Sequence, residues 1–213
     1  MDKGLQNLVR KAESGDVQAM SMIGDCYNRG FHAEQDDTKA HFYYKMAADH
    51  GHAEASYIVA IDFYKGIGAK KDEETALEYL RFAADHGVAN AQYLLALVYA
   101  DKKTKVFFRT RKIVKYYTLA AKQGHVKAQY KLAYMYFQDW TQGDDSHFEE
   151  AVFWLVCAAL HKSESSQDIA IKARSFINDK LIRTGFPAQG IDMYVDQIQQ
   201  NYPDYIIDSK NYF

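Results

Sequence analysis

The segment "AADHGHAEA" at residues 47–55 decides how the whole chain is interpreted, because close copies of it recur. "AADHGVANA" follows at residues 83–91, and "AAKQGHVKA" follows at residues 120–128. Self-similarity with a period of about 20 to 50 residues is typical of proteins in which structural repeats stack on one another. The segment therefore predicts a repeat architecture and raises the question of what each conserved position in it does.

Glycine fixes the register of the repeat, since Gly15, Gly51, Gly87 and Gly124 are spaced by 36, 36 and 37 residues. Four positions after each glycine stands an alanine, eight after it an aliphatic residue, nine after it a small residue and twelve after it an aromatic residue. These offsets lie within one stripe of an α-helix. The pattern predicts a first helix in each repeat, beginning just after the glycine.

A second helix is predicted before each glycine, as in "DDTKAHFYYKMAADHG" and "DEETALEYLRFAADHG". Its small residues allow a neighbouring helix to approach closely. The glycine stands where a helix commonly ends in a left-handed residue. Each repeat is thus predicted to be a helix–turn–helix unit closed by glycine.

The A-A-x-x-G-x-x-x-A-x-x-x-[ILV]-[GA]-x-x-[YF] pattern at 47–63 and 83–99 resembles the SEL-one-like repeat family, relatives of tetratricopeptide proteins. The connector "YKGIGAKKDEETA" at 64–76 is similar to the family's G-x-G…D-x-x-x-A connector, and the resemblance covers about residues 12–160. It implies an all-α fold, namely an α/α superhelical solenoid of helix-turn-helix repeats with helical end caps.

The predicted organisation has four parts, because the ends lack the repeat pattern and terminal units of a solenoid are usually atypical. They are an N-terminal capping helix at 1–13, four repeats at 14–162, C-terminal capping helices at 163–202 and an aromatic tail at 203–213. Within the repeats, His32 replaces the second connector glycine, and Lys102 and Asp139 replace the first. These departures predict connectors that are longer or differently bent.

Composition argues against several classes of protein. The formal net charge is −2, so no global field favours nucleic acid or an anionic membrane. The sequence has no apolar run long enough for a membrane span and no apolar region typical of a secretory signal at its N-terminus. Cys26 and Cys157 form no paired framework and are expected to be small core residues. We expect a cytoplasmic protein.

The resemblance implies that first-helix positions 6, 10 and 13 residues after the glycine face a concave groove. Tyrosine there suits partner binding, because it buries a large area at low entropic cost and keeps a hydroxyl for hydrogen bonding. An alternative is that these rings pack against the second helix of the preceding repeat. We call the predicted partner-binding residues the groove positions: Tyr57, Ile61, Tyr64, Tyr93, Leu97, Tyr130, Tyr134 and Phe137.

The third connector, residues 101–115, interleaves basic residues with Phe107 and Phe108. Such a segment can bind phosphates and stack on bases, or it can meet an acidic patch on a protein partner. Alternatively, it is a solvated loop whose phenylalanines hold it on the solenoid. The candidate basic patch consists of Lys103, Lys105, Arg109, Arg111 and Lys112.

Catalytic and metal-binding residues are not predicted. His50 and His86 precede equivalent glycines, where an imidazole interacts favourably with the negative end of a helix. The "HGH" at 50–52 has no clustered third ligand, and no nucleotide-binding or hydrolase motif occurs. We therefore expect neither an enzyme nor a cofactor.

The sequence thus predicts an adaptor that binds a partner protein or peptide in the groove. Two alternatives stay open: a specific inhibitor, such as an immunity-type protein that masks a toxin, and a phosphate or nucleic-acid binder acting through 101–115. Nucleic acid is the less expected partner. The chain is expected to be a monomer or a dimer formed through the caps.

Overall fold

The computed structural model describes residues 2–101, 109–144, 146–162 and 164–206. Within these ranges the chain contains eleven α-helices and no β-strand, which confirms the predicted all-α class. The helices belong to two compact units, Met1–Ala91 and Gln92–Phe213.

The first unit consists of helices that each pack against the next one along the chain. Their order follows the predicted repeat, with one capping helix before two pairs of first and second helices. The bounds are α1 Lys3–Glu13, α2 Val17–Arg29, α3 Asp37–Asp49, α4 Ala53–Lys65 and α5 Glu73–Asp85.

The second unit holds most of α6 and all later helices, and α8 packs against both α7 and α9. A π-helical segment at Ile177–Leu181 and a 3-10 turn at Ile182–Thr184 follow α10. The bounds are α6 Ala89–Ala100, α7 Arg109–Lys122, α8 Val126–Thr141, α9 Phe148–Leu160, α10 Gln167–Phe176 and α11 Ala188–Asn201.

A repeat glycine ends the second helices α3, α5 and α7 as predicted, whereas α9 ends at Leu160 without one. Gly51 has φ +90°, and its N–H donates to the Ala48 carbonyl at 2.8 Å while the N–H of His52 donates to Ala47 at 3.0 Å. This pair of bonds is the Schellman motif, which satisfies carbonyls that the helix leaves without a partner. The same two bonds follow α1, α5 and α7, and the accepting carbonyls belong to an alanine pair after α5 and α7 and to Lys11 and Ala12 after α1.

Small residues let the helices approach closely, as the sequence predicted. Ala55, Ala91 and Ala128 are completely buried. At Gly24 a side chain is sterically excluded, because a Cβ there would lie 2.6 Å from Cδ1 of Tyr44. The Tyr44 ring of α3 therefore crosses α2 directly over its backbone.

The first helices α2, α4 and α8 begin with a side-chain cap, which was not predicted from the sequence. The Asp16 carboxylate accepts from the Ala19 N–H at 3.0 Å, and His52 Nδ1 accepts from the Ala55 N–H at 3.1 Å. His125 caps α8 in the same way. Because Nδ1 of His52 accepts, its proton is on Nε2, which donates to Oε1 of Gln18 at 3.0 Å.

The predicted connector departures have visible consequences. Asp139 continues α8, which has 16 residues where α2 and α4 have 13, and the left-handed glycine comes later, at Gly143. His32 adopts φ +64°, almost the φ of +63° that Gly68 has at the equivalent position. Lys102 lies outside the described residues.

At the C-terminal end, α10 and α11 supply the two expected helices, and Pro203–Ile206 form a short 3-10 turn. The Tyr205 ring stacks on Trp154 at 5.5 Å, and the buried Gln129 amide donates to the Tyr205 carbonyl. The same amide donates to the Ala121 carbonyl at 3.0 Å. This part of the aromatic tail is therefore ordered against the second unit.

Gly51→Ala is expected to lower the free energy of unfolding by about 1 to 2 kcal/mol, because a side chain disfavours the left-handed conformation. A Cβ at Gly51 would meet no atom within 4 Å, so the lost free energy of unfolding reports the backbone conformation and not a steric clash. Gly4→Ala in α1 is the control, since its nearest contact would be an ordinary 3.5 Å. Urea unfolding measures both, and an equal loss in the two variants would contradict the capping role of Gly51.

His52→Ala is expected to cost about 1 kcal/mol through loss of the helix cap. His52→Asp should retain most of that stability, because Asp16 performs the same task in α2. The two variants are compared by their urea midpoints at neutral pH. If Asp proved as destabilising as Ala, the cap would not be the reason for histidine at this position.

Candidate functional site

In the first unit, the groove positions on α4 differ in exposure. Tyr57 and Ile61 are half-buried, whereas Tyr64 has 58% of its surface exposed. Burial raises the pKa of the Tyr57 hydroxyl. Lys71 Nζ lies 5.5 Å from the centre of the Tyr64 ring, a cation–π distance. Tyr64 is thus the ring that this helix presents most openly to a partner.

In α2 the matching positions are polar. Ser21 is buried, and Asp25 accepts a hydrogen bond from the Tyr44 hydroxyl at 2.7 Å. Burial is the main cause that raises the pKa of Tyr44, and the Asp25 bond adds to it. The first repeat therefore has an anchored carboxylate where later repeats have apolar or aromatic side chains.

In the second unit, the groove positions on α6 are half-buried. The Tyr93 ring stacks on His125 at 4.5 Å and lies 6.0 Å from the ring of Tyr117. Burial raises the pKa of Tyr93 and raises that of Tyr117 to about 12. These contacts join Tyr93 to the second helix of its own repeat and to the start of the next first helix. Leu97 is half-buried too.

The groove positions on α8 contact the C-terminal helices. The Phe137 ring lies 4.7 Å from Phe176 of α10, and Tyr134 lies 6.4 Å from the same ring. Tyr130 lines a cavity of about 10 Å³ with both of them. That volume is near the minimum for one water molecule. Tyr134 nevertheless keeps 43% of its surface exposed, so it is the most accessible of the three.

The candidate basic patch is only partly described. Lys103 and Lys105 lie outside the described residues, while Arg109, Arg111 and Lys112 form the first turn of α7. Lys112 Nζ lies 5.5 Å from the centre of the Tyr99 ring. A helix N-terminus is the end at which positive charge is electrostatically disfavoured. The helix dipole therefore does not favour these cations at this position.

Histidines and cysteines have structural environments. Nδ1 of His50 lies 2.8 Å from the Met46 carbonyl, and His86 makes the same contact with Phe82, as the helix-end prediction required. Cys26 and Cys157 are buried free thiols, and burial raises the pKa of both. Across the described residues, no three His, Cys, Asp or Glu side chains gather as a metal site would need.

An open cleft in the first unit was not predicted from the sequence. It has a volume of about 560 Å³ and lies between α1 and α2, bordered by Leu8, Met22, Arg29, Phe31 and His32 among others. Its one signal in the sequence was His32, which stands where the repeat elsewhere has glycine. A histidine at that position indicates a changed connector and by itself does not indicate a cleft.

Comparison with known proteins supports the repeat assignment. A family model described as the Sel1 repeat matches residues 17–52, 53–88, 114–125 and 126–163, which is more than half of the chain. The segments at 17–52 and 53–88 each span one first and one second helix. Part of the third repeat, including the departure at Lys102, lies outside the match. No curated protein matches the chain.

Among solved structures, a protective antigen of uropathogenic Escherichia coli strains with an SLR fold is 24% identical, with a TM-score of 0.67. That match covers 91% of this chain and 40% of the antigen. A Sel1 repeat protein from Oxalobacter formigenes is 28% identical, with a TM-score of 0.66, and the match covers 80% of this chain and 49% of that protein. This chain spans less than half the length of either.

An immunity protein from Pseudomonas aeruginosa is 16% identical, and the match covers 98% of this chain and 79% of that one. Its TM-score of 0.46 is too low to carry an argument about function. None of the helices in the described part of the chain has the length and apolar character to cross a membrane. The family match and the two closer folds confirm an α/α solenoid of helix–turn–helix repeats, and the chain belongs to the Sel1 repeat family.

Proposed function

We propose that this chain is an adaptor that binds a partner protein or peptide through the groove positions of its first helices. The observation that carries the proposal is the exposure of aromatic rings at equivalent faces of two repeats, at Tyr64 in the first unit and Tyr134 in the second. Sel1 repeats typically serve as scaffolds for protein–protein interaction, which supports the proposal.

The residues next to the exposed Tyr64 ring favour its use in binding. Tyr57 and Ile61 are half-buried on the same helix as Tyr64, so this face has a fixed apolar base beneath an accessible ring. Aromatic side chains that are already ordered lose little entropy when a partner packs on them. We expect Tyr64 and Tyr134 to supply direct contact area.

The more enclosed groove positions are proposed to shape the surface. Tyr93 is held between His125 and Tyr117, and Phe137 is held against Phe176. Removing either ring would disturb the packing of the unit as well as any partner contact. These residues are therefore poor choices for a binding test, and the exposed pair is the better one.

Other parts of the proposal concern location and assembly. Two buried free thiols suit a reducing compartment, and we place the protein in the cytoplasm. The protein is proposed to act as a monomer or as a dimer formed through its end caps. Light scattering on the purified chain distinguishes these two oligomeric states.

The combined Tyr64→Ala/Tyr134→Ala variant is expected to weaken partner binding at least about tenfold, because exposed tyrosines are frequent hot spots of interfaces. Affinity capture from the native cell lysate identifies the partner, and calorimetry with the purified partner measures the change. Phe42→Ala is the matched control, since Phe42 is an equally open ring, 57% exposed, on the second helix α3.

Several outcomes separate the candidate functions. Equal binding by wild type and the double tyrosine variant, or loss of binding in Phe42→Ala, would contradict the groove proposal. A tight one-to-one complex with a single toxin-like partner would identify the specific inhibitor. Binding that falls steeply with salt and disappears in Arg109→Ser/Arg111→Ser/Lys112→Ser would instead identify the phosphate or nucleic-acid binder.

A further inference from the structure

The cleft between α1 and α2 has the size of a binding site. Its volume of about 560 Å³ lies within the range of about 300 to 1,000 Å³ that is usual for ligand pockets. All of its lining residues belong to the first unit, and none is among the groove positions, although Asp25 stands at the α2 position that matches Ile61. The cleft therefore forms a surface separate from the exposed rings of Tyr64 and Tyr134.

Two side chains with hydrogen-bond donors border the cleft, and one of them, Arg29, acts electrostatically on the Tyr44 hydroxyl. The side chains of Arg29 and Asn7 make no hydrogen bond or ion pair with any of the residues that the structure describes. A cation in the last turn of a helix is favoured by the helix dipole, which also accounts for Lys65 at the equivalent place in α4. Arg29 differs from Lys65 because it borders a cleft.

Asp25 also lines the cleft, four residues before Arg29 on α2, and it forms no ion pair with Arg29 among the described residues. The Tyr44 hydroxyl donates to Oδ1 of Asp25, and the His32 ring pairs with the Asp2 carboxylate at the start of α1. Arg29 is thus left to meet a carboxylate from outside, which its planar guanidinium can bind through two parallel hydrogen bonds.

Besides Asp25 and His32, the wall of the cleft carries apolar side chains. Phe31 has 63% of its surface exposed and Met22 has 43%, while Leu8 is half-buried beside them. Methionine adapts to partners of different shapes, and an aromatic ring offers a large contact area. A large apolar side chain fits this wall.

His32 lies at the edge of the cleft, and its backbone adopts a conformation that is disfavoured for a residue with a side chain. A non-glycine residue at φ +64° is disfavoured, and the second repeat of this chain has a glycine, Gly68, at the equivalent position. The His32 ring contacts the Phe31 ring, with the ring centroids 3.9 Å apart. It also pairs with the Asp2 carboxylate. Such strain is a reason to look for function at a site.

We propose that this cleft binds an exposed peptide segment of the partner in which an aspartate or glutamate lies next to a large apolar residue. The carboxylate is bound by Arg29 with Asn7 nearby, and the apolar side chain packs on Leu8, Met22 and Phe31. This inference rests on the proposed function, because it assigns to the same partner a second contact outside the groove positions.

The test selects peptides with the full chain as bait. A displayed library of random peptides is enriched on the wild-type protein, and the selected sequences are made as amidated, fluorescein-labelled peptides, so that their only carboxylates are side chains. We expect the selected peptides to share an acidic residue beside a large apolar one. Exchange of that Glu for Gln, or of Asp for Asn, should weaken binding at least about tenfold.

Variants of the protein give the matching half of the test. Arg29→Gln should weaken binding of the acidic peptides at least about tenfold. Arg29→Lys should weaken their binding less, because lysine keeps the charge but not the paired donors. Lys65→Gln is the control, with the same loss of a last-turn cation away from the cleft. Asp25→Asn should leave binding unchanged or strengthen it.

The proposal is overturned if no peptide is enriched, if the enriched peptides lack an acidic residue, or if Arg29→Gln and Lys65→Gln behave alike. Weaker binding in Asp25→Asn would also overturn it, since that result indicates a basic ligand. Its failure is distinguishable from failure of the proposed function. If binding of a captured partner requires Tyr64 and Tyr134 but not Arg29, the groove proposal is supported and the cleft proposal is contradicted.

Discussion

The glycine-centred turn that closes the second helices α3, α5 and α7 on their alanine pairs is the interaction on which the repeat depends. Two N–H groups beyond the helix donate back to the carbonyls of Ala47 and Ala48, and equivalent bonds recur at Ala83 and Ala84. Only a residue at positive φ brings both N–H groups into reach, and glycine adopts that conformation without strain. The chain then leaves in a direction that lets the next first helix pack on the same alanines.

This construction separates the residues that stabilise the fold from those that are offered to a partner. The repeat alanines are buried between helices and the glycines close helices at turns, most of them exposed. The side chains on the opposite face of the first helices are buried to differing degrees. Tyr64 is open, Tyr93 is enclosed by His125, and Tyr134 is partly covered by Phe176. Binding can therefore vary between repeats while the helices that present it stay alike.

The sequence predicted the features that local chemistry determines and missed those that depend on distant contacts. The glycine closures and buried alanines follow from residues a few positions apart. The cap at His52 could not be assigned, because its ring is oriented by Gln18, 34 residues earlier. The exposure of the groove positions could not be predicted from the sequence either. Phe176, which partly covers Tyr134, lies on α10, a helix that has no repeat pattern. His32 was noticed, but its contact with Asp2 and the cleft behind it require the packing of α1 on α2.

The structure of the chain bound to its captured partner is the most direct test of this division between scaffold and binding surface. The account predicts that the partner lies on the first-helix faces, against Tyr64 or Tyr134, with the outer faces of α3 and α5 left open. A partner seated on those second-helix faces, with both tyrosines still exposed to solvent, would contradict it.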